Sequence, residues 1–250
     1  SRLNPVARKW DLDSFDALIA ALRSNKDERL MVDVTEAMTT NESFFFRDNR
    51  PFDQFKEIVL PHLLDARAAR KQIRIWSAAC SSGQEPYTLA MILKEEAAKL
   101  AGWKVEIVAT DLSTEILNKA KEGLYSQFEV QRGLPITLLM KHFTQEGEKW
   151  RISEEVRNMV SYRPFNLLDS PTALGTFDVV FCRNVLIYFD QATKGQVLSR
   201  VAQIMPADGY LYLGGAETVL GISDSFEVVP GQRGIYRLTN GNANLDRKVG

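Results

Sequence analysis

Apolar positions recur at helical spacing near the start of the chain. Between residues 12 and 38 they fall every three or four residues, and a polar break at 24–26 divides the run. This spacing predicts two short amphipathic helices. Three consecutive phenylalanines follow at 44–46, and Pro51 then predicts the start of a helix over 51–64.

The pattern changes after residue 72. Runs of β-branched and aromatic residues at 73–76, 105–109 and 177–182 predict buried strands, and each is followed by a helical pattern, at 86–100, 113–121 and 191–205. Alternating strands and helices predict an α/β fold with a mostly parallel sheet. A further strand at 210–213 precedes two runs, at 226–229 and 234–238, that predict an antiparallel pair closing the sheet.

Residues 142–163 interrupt this alternation. Strand-like pieces lie on both sides of a turn at Gly147, so we predict a small inserted β-subdomain over this range. The polar residues after 238 predict a flexible tail over 239–250.

Composition narrows the functional classes. The 250 residues are 45% hydrophobic and 25% charged, as in ordinary folded domains, and a net charge of −1 argues against a nucleic-acid partner. Cys80 and Cys182 form no Cys-x-x-Cys pair or Cys/His cluster, so we expect packing residues in a reducing compartment and no metal site. No apolar run reaches the roughly 20 residues of a membrane span, and we expect a cytoplasmic protein without membrane insertion.

A loop of small residues at 77–83 joins the first predicted strand to its helix. It has one glycine, Gly83, and fails the Gly-x-Gly-x-x-Gly pattern of dinucleotide sites, although an adenosyl group could still approach its backbone. Glu85 at the helix start would repel phosphate and attract an ammonium or sulfonium. The alternative is that Glu85 only complements the helix dipole.

Asp111 ends the second predicted strand. An acid at this position of a parallel sheet accepts hydrogen bonds from ribose hydroxyls in nucleotide-binding folds. Asp111 could instead cap the following helix, but Ser113 can serve as the cap equally well. We therefore favour ribose binding for Asp111.

Five segments carry a family resemblance. They are Thr40-Asn-Glu-Ser-Phe-Phe-Phe-Arg-Asp48, Trp76-Ser-Ala-Ala-Cys-Ser-Ser-Gly-Gln-Glu-Pro-Tyr87, Ala109-Thr-Asp-Leu-Ser113, Asn166-Leu-Leu-Asp169 and Cys182-Arg-Asn-Val-Leu-Ile-Tyr-Phe-Asp190. Over residues 1–238 the chain resembles the bacterial chemotaxis receptor glutamate methyltransferases of the CheR type. The motifs are long, ordered and spread along the chain, which makes a chance match improbable.

The resemblance implies a Rossmann-like S-adenosylmethionine-dependent methyltransferase domain, here at 41–238. It also implies an N-terminal helical domain, here at 1–40 and shortened at its start, and the inserted antiparallel β-subdomain at 142–163. The implied activity is transfer of a methyl group to glutamates on the cytoplasmic helices of chemoreceptors, a signal-transduction step. The resemblance implies that the cofactor leaves as S-adenosylhomocysteine after the transfer and that no metal takes part.

The resemblance also implies site residues. The implied cofactor contacts are Asn41, Ser43, Arg47, Glu85, Asp111, Asn166, Leu167, Asn184 and Val185. Arg47 and Tyr188 match the side chains that the family places nearest the transferred methyl group. Whether Arg47 holds the carboxylate of the cofactor or of the receptor stays open.

These residue types suit carboxylate methylation. A glutamate is already ionised at neutral pH and needs no general base, so we expect no catalytic role for His62 or His142. Residues 44–46 and Tyr188 could form desolvating apolar walls, while Arg47 holds a carboxylate. The alternatives are that the phenylalanines are core residues, that Arg47 forms a surface ion pair with Asp48, and that Tyr188 is a packed aromatic.

The partner expected from the resemblance is the helical bundle of a chemoreceptor. The turn at 144–149 is short, with one glycine, which favours independence from a receptor's C-terminal tethering peptide. Arg2, Arg8 and Lys9 form the one N-terminal basic cluster without nearby acids, whereas the acids at 11–28 offset Arg23, Lys26 and Arg29. Two other functions stay open: an amine methyltransferase, whose proline-rich motif is missing at 166–169, and a non-catalytic module that binds the cofactor.

Overall fold

This computed structural model describes residues 2–24 and 27–239, and the strands among them form two sheets. Within these residues the strands are β1 Gln72–Ala78, β2 Lys104–Asp111, β3 Leu124–Ser126, β4 Phe143–Glu146, β5 Lys149–Ile152, β6 Val160–Pro164, β7 Val179–Phe181, β8 Tyr210–Tyr212, β9 Phe226–Val228 and β10 Ile235–Leu238.

The main sheet has seven strands in the order β6-β2-β1-β7-β8-β10-β9. The first five are parallel, and β10 runs antiparallel to both of its neighbours. The α/β fold class and the closing antiparallel pair are therefore confirmed. From β1 the chain builds outward through β2 to β6 and then crosses to β7 on the other side, which leaves a crevice at the carboxyl ends of β1 and β7.

Helices surround the sheet. They are α1 Asn4–Lys9, α2 Phe15–Ser24, α3 Glu28–Met38, α4 Arg50–Gln54, α5 Leu60–Ala66, α6 Gln84–Glu95, α7 Thr114–Glu122, α8 Gln127–Gln131, α9 Ile136–His142, α10 Glu154–Arg157 and α11 Gln191–Gln203. A π-helical turn, Phe55–Val59, joins α4 to α5, and Pro171–Leu174 and Leu186–Tyr188 are 3₁₀ turns. The two amphipathic helices predicted over 12–38 are α2 and α3. No helix of the described residues is long and apolar enough to cross a membrane.

Alternate residues of each central strand supply two cores. Ile75 and Ile107 pack under α4–α6, whereas Trp76 and Val108 face the side covered by α11. This follows from the two-residue period of a strand buried on both faces. The sheet is thereby held rigidly between helical layers, and its carboxyl edge carries the site.

The small sheet has the order β3-β5-β4 and is antiparallel. It differs at both ends from the insertion predicted over 142–163. It begins at β3, whose three residues are too few to produce a strand pattern, and β6 lies in the main sheet, parallel to β2. The prediction that 159–163 belongs to the insertion is wrong, because the partner of β6 lies about fifty residues earlier in the chain.

The N-terminal helices have their own small core around Val6, Leu18 and Leu30. Glu36 of α3 connects them to the rest of the chain, since its carboxylate accepts hydrogen bonds from the Ser113 hydroxyl and from the Thr114 backbone N–H, the latter at 2.8 Å. It thereby caps the start of α7. Lys26 and almost all of the predicted tail at 239–250 lie outside the described residues.

Candidate functional site

A cavity of about 490 Å³ lies at the carboxyl ends of β1, β2 and β7. Every cofactor-binding and catalytic residue that the resemblance implies lines it. These are Asn41, Ser43, Arg47, Glu85, Asp111, Asn166, Leu167, Asn184, Val185 and Tyr188. The fold therefore brings together ten residues that are spread over almost 150 positions of the chain.

The loop after β1 forms the floor of this cavity. Ala79 and Ser81 have left-handed φ angles of 56° and 51°, and Gly83 has φ of 91°. A Cβ at Gly83 would lie 2.7 Å from the hydroxyl of Tyr162, so glycine suits both the backbone and the space. The strained backbone turns the N–H of Ser81 toward Asp111.

Asp111 is buried, with 6% of its surface exposed. Its Oδ2 accepts a hydrogen bond from the Ser81 N–H at 2.8 Å and its Oδ1 accepts one from the Ser113 N–H at 3.1 Å. Ser113 itself caps α7 through the N–H of Ile116. Desolvation raises the pKa of Asp111, and Glu36 adds to the rise. Each oxygen keeps a lone pair for a ligand hydroxyl, so the carboxylate suits a diol.

Glu85 lies in the first turn of α6, and its side chain is only 12% exposed. Its Oε1 accepts from the Ser77 hydroxyl at 2.8 Å, and its Oε2 accepts from Nη1 of Arg183 at 3.0 Å. This ion pair offsets the attraction for a cation that Glu85 alone would exert. The described lining contains three carboxylates (Glu42, Glu85 and Asp111) against two guanidiniums (Arg47 and Arg183), so an excess of one negative charge remains.

Arg47 lines the cavity and is half-buried. Its Nη1 donates to the backbone carbonyl of Glu42 at 2.9 Å, and its guanidinium lies 5.6 Å from the ring centroid of Phe44. Arg132 contacts the same two residues: it is 4.3 Å from that ring and pairs with the Glu42 carboxylate at 2.7 Å. Asp48 pairs with Arg183, so the alternative of an Arg47–Asp48 ion pair is wrong.

The backbone beside Arg47 is strained. Phe46, Asp48 and Asn49 have φ angles of 53°, 70° and 47°, a left-handed conformation that costs a non-glycine residue about 1–3 kcal/mol. The Phe46 N–H donates to the Thr88 hydroxyl at 3.2 Å. Such a turn persists only where its surroundings hold it, which is a feature of functional sites.

The three phenylalanines do not form the walls of the cavity, and that prediction is wrong. Phe45 is fully buried and packs edge-on against Tyr125 and Phe143. Adjacent side chains on a turn point in different directions, and none of the three lines the cavity. The apolar walls come from Leu112, Phe165, Leu167, Val185 and Phe189.

Tyr188 ends the 3₁₀ turn Leu186–Tyr188 and is 59% exposed, so it is not a packed aromatic. Glu217 shapes this turn by accepting from the backbone N–H groups of Asn184 at 2.8 Å and Ile187 at 3.3 Å. Asn184 is left-handed, with φ of 59°. The Tyr188 hydroxyl is thereby carried on a rigid turn at the cavity mouth.

Burial keeps both thiols unreactive. Desolvation raises the pKa of Cys80 and of Cys182 well above its usual value, so both stay protonated at neutral pH. His142 lies outside the cavity and contacts Glu95 at 2.9 Å.

The N-terminal basic cluster is not free of acids, which corrects the prediction. Lys9 pairs with Asp33 at 2.8 Å, because α1 packs beside α3. Arg2 donates to the Thr40 hydroxyl at 3.0 Å.

Comparison with known proteins identifies the family. Residues 41–235 match the family model described as CheR methyltransferase, SAM binding domain. The chain belongs to the CheR methyltransferase family. It is 42% identical to chemotaxis protein methyltransferase 1 of Pseudomonas aeruginosa, over 95% of this chain and 88% of that protein. It is 40% identical to chemotaxis protein methyltransferase Cher2 of Pseudomonas putida, over 94% of this chain and 86% of that protein.

A solved structure of PKMT2 from Rickettsia typhi in complex with AdoHcy is a distant match. It is 15% identical, with a TM-score of 0.38 over 57% of this chain and 21% of that one.

Sequence reasoning missed three residues of this CheR-family site. They are Arg183, Glu36 and Glu217, to which the sequence assigns no role. The partners described above lie 30 to 136 positions away in the chain, so no local pattern could reveal them. The available signal was the position of Arg183 directly before Asn184, at the end of a buried strand.

Proposed function

We propose that this protein is an S-adenosylmethionine-dependent O-methyltransferase that forms methyl esters on glutamate side chains of the chemoreceptor cytoplasmic helical bundle. Family membership supports methyl transfer in chemotaxis. The observation that carries the finer statement is the convergence of Arg47, Tyr188, Glu85 and Asp111 on one cavity at the switch point of the sheet. No histidine or cysteine base is needed, because the acceptor carboxylate is ionised at neutral pH.

The cavity residues suit this cofactor. A volume of about 490 Å³ lies within the range of small-molecule sites, and apolar walls with a few polar groups are typical of them. Asp111 retains one acceptor lone pair on each oxygen for the ribose diol. The excess of one negative charge in the lining suits the ammonium and sulfonium groups. When bound, S-adenosylmethionine supplies a methyl group on a positively charged sulfur.

The chain's own residues orient the acceptor and exclude water. Arg47 lines the cavity, and its planar guanidinium can hold a carboxylate in fixed orientation without taking its charge away. Tyr188 lines the same cavity and offers a hydroxyl. Phe165, Val185 and Phe189 remove water from around two opposite charges, which favours a transfer that neutralises both.

Alkali-sensitive labelling tests this proposal. The protein is incubated with receptor fragments and S-adenosylmethionine labelled on its methyl group, and the product is treated with base. We expect volatile methanol, because esters hydrolyse, and no label on a fragment whose acceptor glutamates are changed to glutamine. Label that resists base would instead indicate an amine methyltransferase. If the protein binds AdoHcy but labels no receptor fragment, and Arg47→Ala leaves its AdoHcy affinity unchanged, the protein would be a binding module.

We propose also that activity needs no tethering peptide and takes place in the cytoplasm, where those receptor helices lie. The β4–β5 hairpin has a two-residue turn, Gly147–Glu148, which adds little surface beyond the edge of the small sheet. Receptor fragments with and without their last residues should be methylated at equal rates. A large loss of rate on removing those residues would refute tether independence.

A further inference from the structure

Arg183 joins the two parts of the cavity wall that carry Glu85 and Arg47. It follows β7, and its side chain is only 1% exposed. Nη1 donates to Oε2 of Glu85 at 3.0 Å, whereas Nη2 donates to the backbone carbonyl of Arg47 at 2.8 Å and to Oδ2 of Asp48 at 2.7 Å. The guanidinium lies 5.5 Å from the ring centroid of Phe52.

This arrangement is poorly suited to stability alone. Burying a charged pair costs desolvation energy, and the Nε of Arg183 is buried without a hydrogen-bond partner among the described residues. Two of its three bonds go to Arg47 and Asp48, in the turn whose backbone is left-handed at Phe46, Asp48 and Asn49. Arg183 thus contacts the strained turn at the residue that carries the Arg47 side chain.

We propose that Arg183 is a positioning residue: it sets Arg47 at a fixed place relative to Glu85, so that the acceptor carboxylate meets the cofactor in line. The inference rests on the proposed function, because Arg47 must act on methyl transfer. Lysine cannot replace this arginine, since one ammonium group lacks the planar fork that reaches Glu85 in one direction and the turn in the other. Arg183 need not touch either substrate.

A double-mutant cycle tests the inference. Arg183→Lys is made alone and together with Arg47→Lys, and the kcat for receptor methylation, the KM for receptor and the Kd for AdoHcy are measured. We expect Arg183→Lys to lower kcat about tenfold to hundredfold, the loss typical of a misplaced catalytic group, with Kd changed less than about threefold. In the Arg47→Lys background the same change should lower kcat less than about twofold, because residues that act as a unit are not additive.

Hydrogen exchange supplies a readout that is independent of activity. Amides of residues 46–50 should exchange faster in Arg183→Lys, while those of β1 stay protected. Arg67→Lys is the matched control: Arg67 is also a buried arginine, paired with Asp178 and Asp208 away from the cavity. Arg67→Lys should lower the melting temperature without speeding exchange at 46–50. Any effect that it has on kcat should be the same with and without Arg47→Lys.

The outcomes separate the two proposals. Independent, multiplying losses from Arg183→Lys and Arg47→Lys, or a lower melting temperature with unchanged kcat, would overturn the positioning role and leave the proposed function intact. A native protein that transfers no methyl group to receptor would refute both. If Arg183→Lys does not fold, Asp48→Asn weakens the exposed arm of the bridge; a lower kcat that vanishes in the Arg47→Lys background supports the role, and an unchanged kcat overturns it.

Discussion

Replacing Asp111 by alanine should abolish most of the cofactor affinity. The carboxylate is buried at the end of β2, and its two oxygens accept from the N–H groups of Ser81 and Ser113. If each oxygen also accepts one ribose hydroxyl, the variant loses two hydrogen bonds to a charged group, worth about 1.5–3 kcal/mol each. The sum, about 3–6 kcal/mol, corresponds to a rise in Kd of roughly 10²–10⁴-fold.

Titration calorimetry with AdoHcy measures this directly. Asp111→Asn keeps one acceptor oxygen and should raise Kd by only about 10–100-fold. Ser153→Ala is the matched control, because it removes the side-chain cap of α10 at a residue that does not line the cavity and costs about 0.5–2 kcal/mol of stability. Its Kd should stay within about threefold of native. A folded Asp111→Ala protein with native Kd, or equal losses in Asp111→Ala and Ser153→Ala, would refute the ribose assignment.

Three further changes have defined outcomes. Tyr188→Phe should lower kcat about tenfold, the loss of one hydrogen bond made in the transition state, with AdoHcy Kd and melting temperature unchanged; equal losses in kcat and affinity would make Tyr188 a binding residue. Gly133→Ala should lower the melting temperature by at least about 4 °C, since the new Cβ would lie 2.1 Å from the Phe45 carbonyl oxygen. Gly147→Ala has the same unfavourable positive φ but no neighbouring atom in the way, so it should lower the melting temperature less. Similar shifts in both variants would contradict this. Arg67 lowers the pKa of Asp208, so Asp208 stabilises the fold above its ordinary pKa and loses that contribution as the pH falls through the lowered value. The loss in free energy of unfolding caused by Asp208→Asn, measured with urea, should therefore shrink between pH 5 and pH 3. A loss that grows over this range would refute the sign.

Much of the sheet could be predicted because its strands are buried on both faces. The apolar runs at β1, β2 and β7 stand out in the sequence, and acids at strand ends are visible without knowing the fold. Asp111 was found in this way. The sheet to which the edge strand β6 belongs is not predictable in this way, since its half-exposed pattern does not say which partner it pairs with.

The site was predicted as a set of residues but not as a set of contacts. Arg47 and Glu85 were recognised, yet the guanidinium of Arg183 that joins them bridges 98 and 136 positions of chain. The left-handed φ of Phe46 is equally hidden, because an aromatic residue carries no intrinsic preference for it. Only tertiary packing determines both.

The cap that Glu36 places on α7 connects ligand occupancy to the attachment of the first forty residues. Val34, Thr35 and Met38 border the cavity on the same helix that carries Glu36, so a ligand touching that border binds the docked form of the helix in preference to a detached one. By linkage, saturating AdoHcy must then strengthen the attachment by RT times the logarithm of the ratio between the Kd of the detached form and the Kd of the docked form. Protease cleavage within α3 should accordingly slow as AdoHcy is added, and removing these helices should weaken AdoHcy binding by the same free energy.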